Sequence, residues 1–291
     1  MTAKDTFSLQ RTLTLPSGNL VVEEWGAEDS PVIICLHGWL DNLASFYPLA
    51  EKLCHEFRVI LVDLPGHGQS APILEGGHYY IWHNVETLYQ LLQALNLSSV
   101  NLLGHSMGGV IASLFAGAFD SYVERLILID SLGPMVDTCE NTPKQLAKAI
   151  LEGQRTASAL RVFPTPQDAL IARKKSSPGM TDTALRPIVE RNLKVVEGGY
   201  SWSTDSRLRH ASKLRLSEDQ VKGFFNAIHA PVLLLIAEQG ILPASWIAQR
   251  KAYLSNVKQV NIAGHHHFHA EQEGAELSAE GIKTFMAVST I

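Results

Sequence analysis

Four short runs, residues 31–36, 58–62, 100–103 and 125–129, are almost wholly apolar, the pattern of strands buried on both faces. Between them the apolar positions fall at helical spacing. Residues 42–55 and 110–119 read as helices, and so do residues 83–95, where Val85, Leu88, Leu91, Leu92 and Leu95 mark one face. Ahead of them, residues 9–26 read as two strands joined by a turn at Pro16-Ser17-Gly18-Asn19. This alternation of short buried strands and amphipathic helices predicts a mostly parallel sheet with helices on both faces. In such a sheet functional groups gather where strands end, and His37, Asp63, Ser106 and Asp130 each stand at a predicted carboxyl end.

From Leu132 to Ala227 the pattern changes. No buried strand is predicted there, and helical pieces at 142–154, 166–174 and 183–195 are joined by loops such as Ser176-Ser177-Pro178-Gly179. Strand patterns resume at 231–237 and 257–262, followed by a last helix over about 275–286. The middle segment therefore reads as an insertion, a helical cap over the sheet end; a separate domain with its own ligand is the other reading. The expected architecture is α/β. It has a mostly parallel eight-stranded sheet flanked by helices, with a core of residues 1–131 and 228–291 and a cap of residues 132–227 inserted after the sixth strand.

The chemistry centres on Gly104-His105-Ser106-Met107-Gly108, which lies between a predicted strand and a predicted helix. That context makes G-x-S-x-G a nucleophile elbow, with Ser106 on a tight turn whose neighbours lack Cβ bulk. The following helix start directs backbone N–H groups at the serine, and the N–H of Met107 is the natural first donor to an oxyanion. A serine hydroxyl needs a base, and in this topology the base is a histidine on a late loop. The tract Gly264-His265-His266-His267-Phe268-His269 offers four. A histidine-rich tract also has a metal-binding reading. No cysteine or acidic partner stands at helical ligand spacing, so neither metal nor cofactor is expected.

The 291 residues suffice for one large α/β domain or two ordinary ones. The net charge of −5 and the lack of a basic run argue against a nucleic-acid partner. No apolar stretch approaches the roughly 18 residues of a membrane span, and Met1–Thr6 has no apolar leader character. The three cysteines, Cys35, Cys54 and Cys139, are odd in number and follow no spacing pattern. They fit a reducing compartment and a cytoplasmic location. The oligomeric state is left open.

Five stretches taken together, LHGWLDN (36–42), DLPGHGQS (63–70), GHSMGG (104–109), LILIDSLGP (126–134) and GHHHFH (264–269), resemble the α/β-hydrolase superfamily and, within it, the serine hydrolase-like proteins. The resemblance implies Ser106 as nucleophile and, through G-x-H-x-x-H, His266 as base. His265 is the alternative, because many relatives carry the base directly after the glycine. It places the second oxyanion donor at the N–H of Trp39, with His37 bracing that loop. The acid departs from the common pattern. Where most relatives have G-x-x-D, this chain reads Ala237-Glu238-Gln239-Gly240, with glycine in the place of aspartate. Some members carry the acid after the strand preceding the cap, which points to Asp130; Glu238 is the alternative. Asp63 reads as the residue ordering the Pro65-Gly66-His67-Gly68 turn. The implied activity is hydrolysis of a small to medium apolar carboxylic ester through an acyl-enzyme. Other carbonyl substrates (thioester, lactone, amide or C–C bond) and a non-catalytic ligand-binding role are the alternatives. A serine nucleophile argues against dehalogenase and epoxide hydrolase chemistry, for which those relatives use aspartate.

Overall fold

In the computed structural model, which describes residues 8–154 and 161–288, eight strands form one sheet. The segment Met1–Thr6 lies outside the described residues. Strands β1 (Ser8–Leu15) and β2 (Gly18–Trp25) make the expected hairpin, and β2 runs antiparallel to β4 (Arg58–Val62). Strands β3 (Val32–Leu36), β5 (Val100–His105) and β6 (Val123–Ile129) continue the sheet in parallel, followed after a long inserted segment by β9 (Val232–Gln239) and β10 (Val257–His265). The spatial order is β1-β2-β4-β3-β5-β6-β9-β10.

Alternate residues of each central strand feed opposite faces. Ile34, Leu36, Ile60, Val62, Leu102 and Leu128 enter one core, together with helices α2 (Ile81–Ala94) and α3 (Met107–Ala118). Ile33, Cys35, Val59, Leu61, Leu103 and Ile129 enter the other, against α1 (Tyr47–Leu53) and the C-terminal helix α9 (Gln272–Met286). Burying one such side chain fully stabilises the fold by about 1.5–3 kcal/mol, so these strands form a rigid platform. The register aligns their ends. Leu36 pairs with both Val62 and Gly104, and His105 pairs with Ile129. The next residue of each strand, His37, Asp63, Ser106 and Asp130, therefore emerges along one edge, as the run lengths predicted.

Between β6 and β9 the chain leaves the sheet. Helices α4 (Thr142–Gly153), α5 (Pro166–Lys174) and α6 (Asp182–Arg191) come first. Phe163, Leu170, Met180, Leu185 and Ile188 form a small core of their own, reached from below by Ala270. Two local readings are corrected here. The helix expected over 183–195 stops at Arg191, and an antiparallel hairpin of β7 (Leu193–Val196) and β8 (Gly199–Trp202) follows. The signal was present in the β-branched pair Val195-Val196 followed by Gly198-Gly199, where both glycines take positive φ (83° and 141°). The helix expected over 42–55 opens instead with a 3₁₀ turn over Leu43–Phe46, and α1 starts at Tyr47 with Pro48 in its first turn. The last helix of the 132–227 segment, α7 (Glu218–Asn226), buries Val221 and Phe225 in the sheet's own core and packs on α3. After β9, helix α8 (Ala244–Lys251) completes the fold.

Polar links join the inserted segment to the sheet's carboxyl edge. Arg191 Nε donates to buried Asp63 at 2.9 Å, Arg173 to buried Asp41 at 2.5 Å, and Asn42 Nδ2 to the Ile188 carbonyl at 2.8 Å. Among the described residues no helix is long and apolar enough to cross a membrane. All three cysteines are free thiols, Cys35 and Cys54 buried and Cys139 exposed.

Candidate active site

Ser106 sits between β5 and α3 with φ 50° and ψ −115°, a conformation that non-glycine residues seldom adopt. The turn closes only because its neighbours are glycines. A Cβ on Gly104 would collide with the Gly108 backbone, and one on Gly108 with the Leu36 carbonyl. The Ser106 N–H donates to the Ile129 carbonyl at 3.1 Å, and Ser131 Oγ donates to the Ser106 carbonyl at 2.7 Å. The strained residue is thus held by the adjacent strand. Met107 opens α3, so its N–H belongs to the unsatisfied first turn of the helix.

Asp130 follows β6 with φ 42° and is 1% exposed. Its carboxylate accepts the backbone N–H of Ala237 at 3.2 Å and of Ile241 at 3.3 Å. It also accepts from His266 Nδ1 at 2.6 Å. Because a carboxylate only accepts, Nδ1 carries the ring proton and Nε2 keeps its lone pair. A Cβ on Gly240 would lie 2.5 Å from Asp130 Oδ1. Glycine at 240 therefore leaves room for a carboxylate arriving from β6.

The other predicted positions separate clearly. Glu238 is exposed near the end of β9, beside a shallow depression with Lys251, Gln259 and Asn261, and bonds no histidine among the described residues. His265 faces the inserted segment: Gly179 stands against its ring, and Glu271 lies 3.6 Å from its Nε2. Burial lowers the His265 pKa. Among the described residues no hydrogen bond joins the Ser106 hydroxyl to His266; such contacts often tighten only when substrate is present. The His105 ring centroid lies 4.6 Å from that of His266.

The His37-Gly38-Trp39 loop is braced as expected. The Leu64 N–H donates to His37 Nε2 at 3.0 Å, so His37 Nδ1–H donates to the Gly38 carbonyl at 2.8 Å. Burial pushes the His37 pKa down to about 4, which keeps this bridge neutral. Leu40 then takes φ 61°, and the Trp39 indole, half exposed, donates Nε1–H to the Leu208 carbonyl at 2.9 Å. Asp63 Oδ2 accepts the Gln69 N–H at 2.9 Å, ordering the 65–68 turn as expected.

Ser106, Met107 and Asp130 line a cavity of about 660 Å³. Its walls are largely apolar and include Trp39, Tyr80, Trp82, Met135, Ile241 and Trp246, a set drawn from both the sheet edge and the inserted segment. Most of these wall residues carried no sequence signal, because their directions depend on how the insertion folds back. Asp41 was also passed over, although it lies inside the LHGWLDN stretch. Its burial beside the late-loop His267 is a tertiary fact.

A family model described as the alpha/beta hydrolase fold matches residues 31–272. The chain belongs to the α/β-hydrolase family. It is 27% identical over 275 residues to a "Serine hydrolase-like protein" of Danio rerio, covering 88% of this chain and 82% of the relative. It is 30% identical over 253 residues to "Serine hydrolase-like protein 2" of Homo sapiens, covering 84% and 79%. Among solved structures, a hypothetical protein of Pseudomonas aeruginosa PAO1 superposes with a TM-score of 0.89 at 33% identity, covering 96% of this chain and 99% of that one. These likenesses support a hydrolase of the serine hydrolase-like kind.

Proposed function

We propose that the protein is a serine hydrolase that cleaves small to medium apolar carboxylic esters through an acyl-enzyme, with residues 132–227 capping the site. The observation that carries this reading is the 2.6 Å bond from His266 Nδ1 to buried Asp130, beside a strained serine that lines an apolar cavity. In this reading Asp130 fixes the ring tautomer, so that Nε2 of His266 takes the Ser106 proton as Oγ attacks the ester carbonyl. The N–H groups of Met107 and Trp39 hold the developing oxyanion. The same ring then protonates the departing alkoxide and activates the water that breaks the acyl-enzyme. Glu238 and His265 have no part in it. The glycine at 240 gave a non-catalytic role its main support, and the Asp130–His266 contact supports the catalytic reading instead.

Covalent labelling by a fluorophosphonate tests the assignment. Wild type is expected to label and to hydrolyse p-nitrophenyl esters of graded chain length, with Ser106→Ala losing both, a fall of about 10⁴-fold or more in turnover. A folded wild-type protein that takes no label would refute the serine mechanism. Labelling without hydrolysis of any ester in the series would transfer the substrate to thioesters or another carbonyl class.

A further inference from the structure

Beside the elbow lies a second group of polar side chains that the proposed reaction does not use. Asp41, His105 and His267 each present one ligand-type atom, and these atoms lie within 4.8 Å of one another. The three come from separate parts of the chain: the loop after β3, the end of β5 and the loop after β10. Spacing within the histidine tract could not reveal the carboxylate, because Asp41 is far away in sequence.

Three observations point to a ligand here. First, His105 is fully buried, and its Nε2 faces the His266 carbonyl at 3.0 Å. A carbonyl only accepts, so Nε2 holds the proton and Nδ1 bears a bare lone pair. That Nδ1 has no hydrogen-bond partner among the described residues. An unmet buried acceptor is costly, about 1–3 kcal/mol, and calls for an explanation. Second, the space in front of it is kept clear. A Cβ on Gly38 would lie 2.9 Å from His105 Nδ1 and 3.1 Å from Asp41 Oδ2. Third, the ligand atoms have outer support. Arg173 holds Asp41 Oδ1 at 2.5 Å, leaving Oδ2 to face His267 Nε2 at 3.2 Å, and the His266 carbonyl orients His105. Carbonyl-oriented imidazoles and a hydrogen-bonded carboxylate are the usual outer shell of a metal site.

We propose that Asp41, His105 and His267 form a three-ligand site for a borderline divalent metal ion, of which Zn²⁺ fits best. Two neutral imidazoles and one carboxylate suit zinc, whereas calcium and magnesium favour oxygen-rich sets. Three protein ligands leave a fourth position for water or a small anion. Zinc–ligand bonds of about 2.0–2.2 Å set tetrahedral ligand atoms roughly 3.4 Å apart, close to the 3.2 Å that already separates Asp41 Oδ2 from His267 Nε2. Since the Asp41 N–H already donates to the Gly38 carbonyl at 3.2 Å and His105 precedes Ser106, the ion would clamp the Trp39 loop to the elbow strand. This site stands independently of the ester-hydrolase reading.

The test uses the full chain, stripped of metal by chelation. Calorimetric titration with Zn²⁺ is expected to give one saturable site of micromolar order, and Co²⁺ to give visible d–d absorption of a low-coordinate N/O site. Asp41→Asn and His267→Gln should each weaken binding at least about tenfold. His229→Gln, which alters a surface histidine paired with Asp120, should leave it unchanged. Circular dichroism checks that the variants fold. If Asp41→Asn does not, the wild-type Co²⁺ spectrum and His267→Gln decide the matter. No saturable uptake below about 1 mM, or equal affinity in wild type and His267→Gln, overturns the proposal. So does loss of binding confined to His265→Gln, which would put the ion at the His265–Glu271 pair.

Discussion

Two consecutive histidines, His266 and His267, each meet a buried aspartate, yet the two pairs are built differently. Asp130 takes His266 Nδ1 and two backbone N–H groups, and among the described residues no arginine or lysine pairs with it. Asp41 takes His267 Nε2 and also the guanidinium of Arg173. Burial alone would raise the Asp41 carboxyl, but His267 and Arg173 hold it far below the usual carboxylate range. The charge of Asp41 is therefore already met by a fixed cation. In the proposed reaction the charge of Asp130, which is 1% exposed, is left for an imidazolium to form against. The neighbouring dyads share residue types and differ in surroundings, and it is the surroundings that favour Asp130–His266 for the proposed proton transfer.

Exchange of the two carboxylates for amides is the strongest way to break that comparison. Asp130→Asn should lower turnover by about 10³–10⁴-fold with the fold retained, since an amide can present the wrong group to Nδ1. Asp41→Asn should keep turnover within about tenfold and instead lower stability by about 3 kcal/mol, because it strands the largely buried Arg173. Turnover on an ester substrate and the urea midpoint separate the two outcomes. Equal losses of turnover in both variants would mean that the pairs work as one unit, and near-normal activity in Asp130→Asn would return Glu238 to consideration.

The sheet was legible in the chain because its strands are buried on both faces and so spell continuous apolar runs. The ends of those runs located His37, Asp63, Ser106 and Asp130 before any coordinate was known. The elbow was legible for a steric reason, since only glycine fits at Gly104 and Gly108. The β7–β8 hairpin was hidden because Val195 and Val196 also continue the helical spacing of α6. The second histidine–aspartate pair was invisible for another reason. Asp41 and His267 are 226 positions apart, and only the packing of two loops joins them. The proposed acid lay between these cases: a glycine at 240 announced a missing carboxylate, and the end of β6 offered a candidate replacement.

That complementarity gives a smaller perturbation. Gly240→Ala leaves every titratable group in place but pushes a methyl against Asp130 Oδ1. Displacing the carboxylate should lower turnover by about 10–100-fold with little change in substrate affinity, because orientation of the base is lost and the cavity is not. Unchanged turnover in Gly240→Ala would show that the carboxylate has slack and that the 2.6 Å bond is not a tight constraint. A loss equal to that of Asp130→Asn would show that it has none.

The gentlest probe is proton concentration, which acts on the histidines that neither aspartate holds. Burial pushes His37 down to about 4 and His67 to about 3 from an ordinary 6.5, and burial also lowers His105 and His269 well below that value. Each of these rings is neutral in the fold, while the unfolded chain takes up a proton below pH 6.5. Stability from this source is therefore complete above pH 6.5 and is lost as pH falls toward 4. By pH 5.5 the loss should reach about 1 kcal/mol for His37 and about the same for His67. His269 offers the control. Its ring is fully buried 5.0 Å from that of Phe46, and neither nitrogen has a hydrogen-bond partner among the described residues. His269→Phe keeps the ring and removes the proton site, so its urea midpoint should fall less steeply between pH 7.5 and 5.5 than that of wild type. An identical slope in the two proteins would mean that His269 is protonated in the native state, and a buried imidazolium there would need Asp41 as its counter-charge, merging the second pair with the cluster around it.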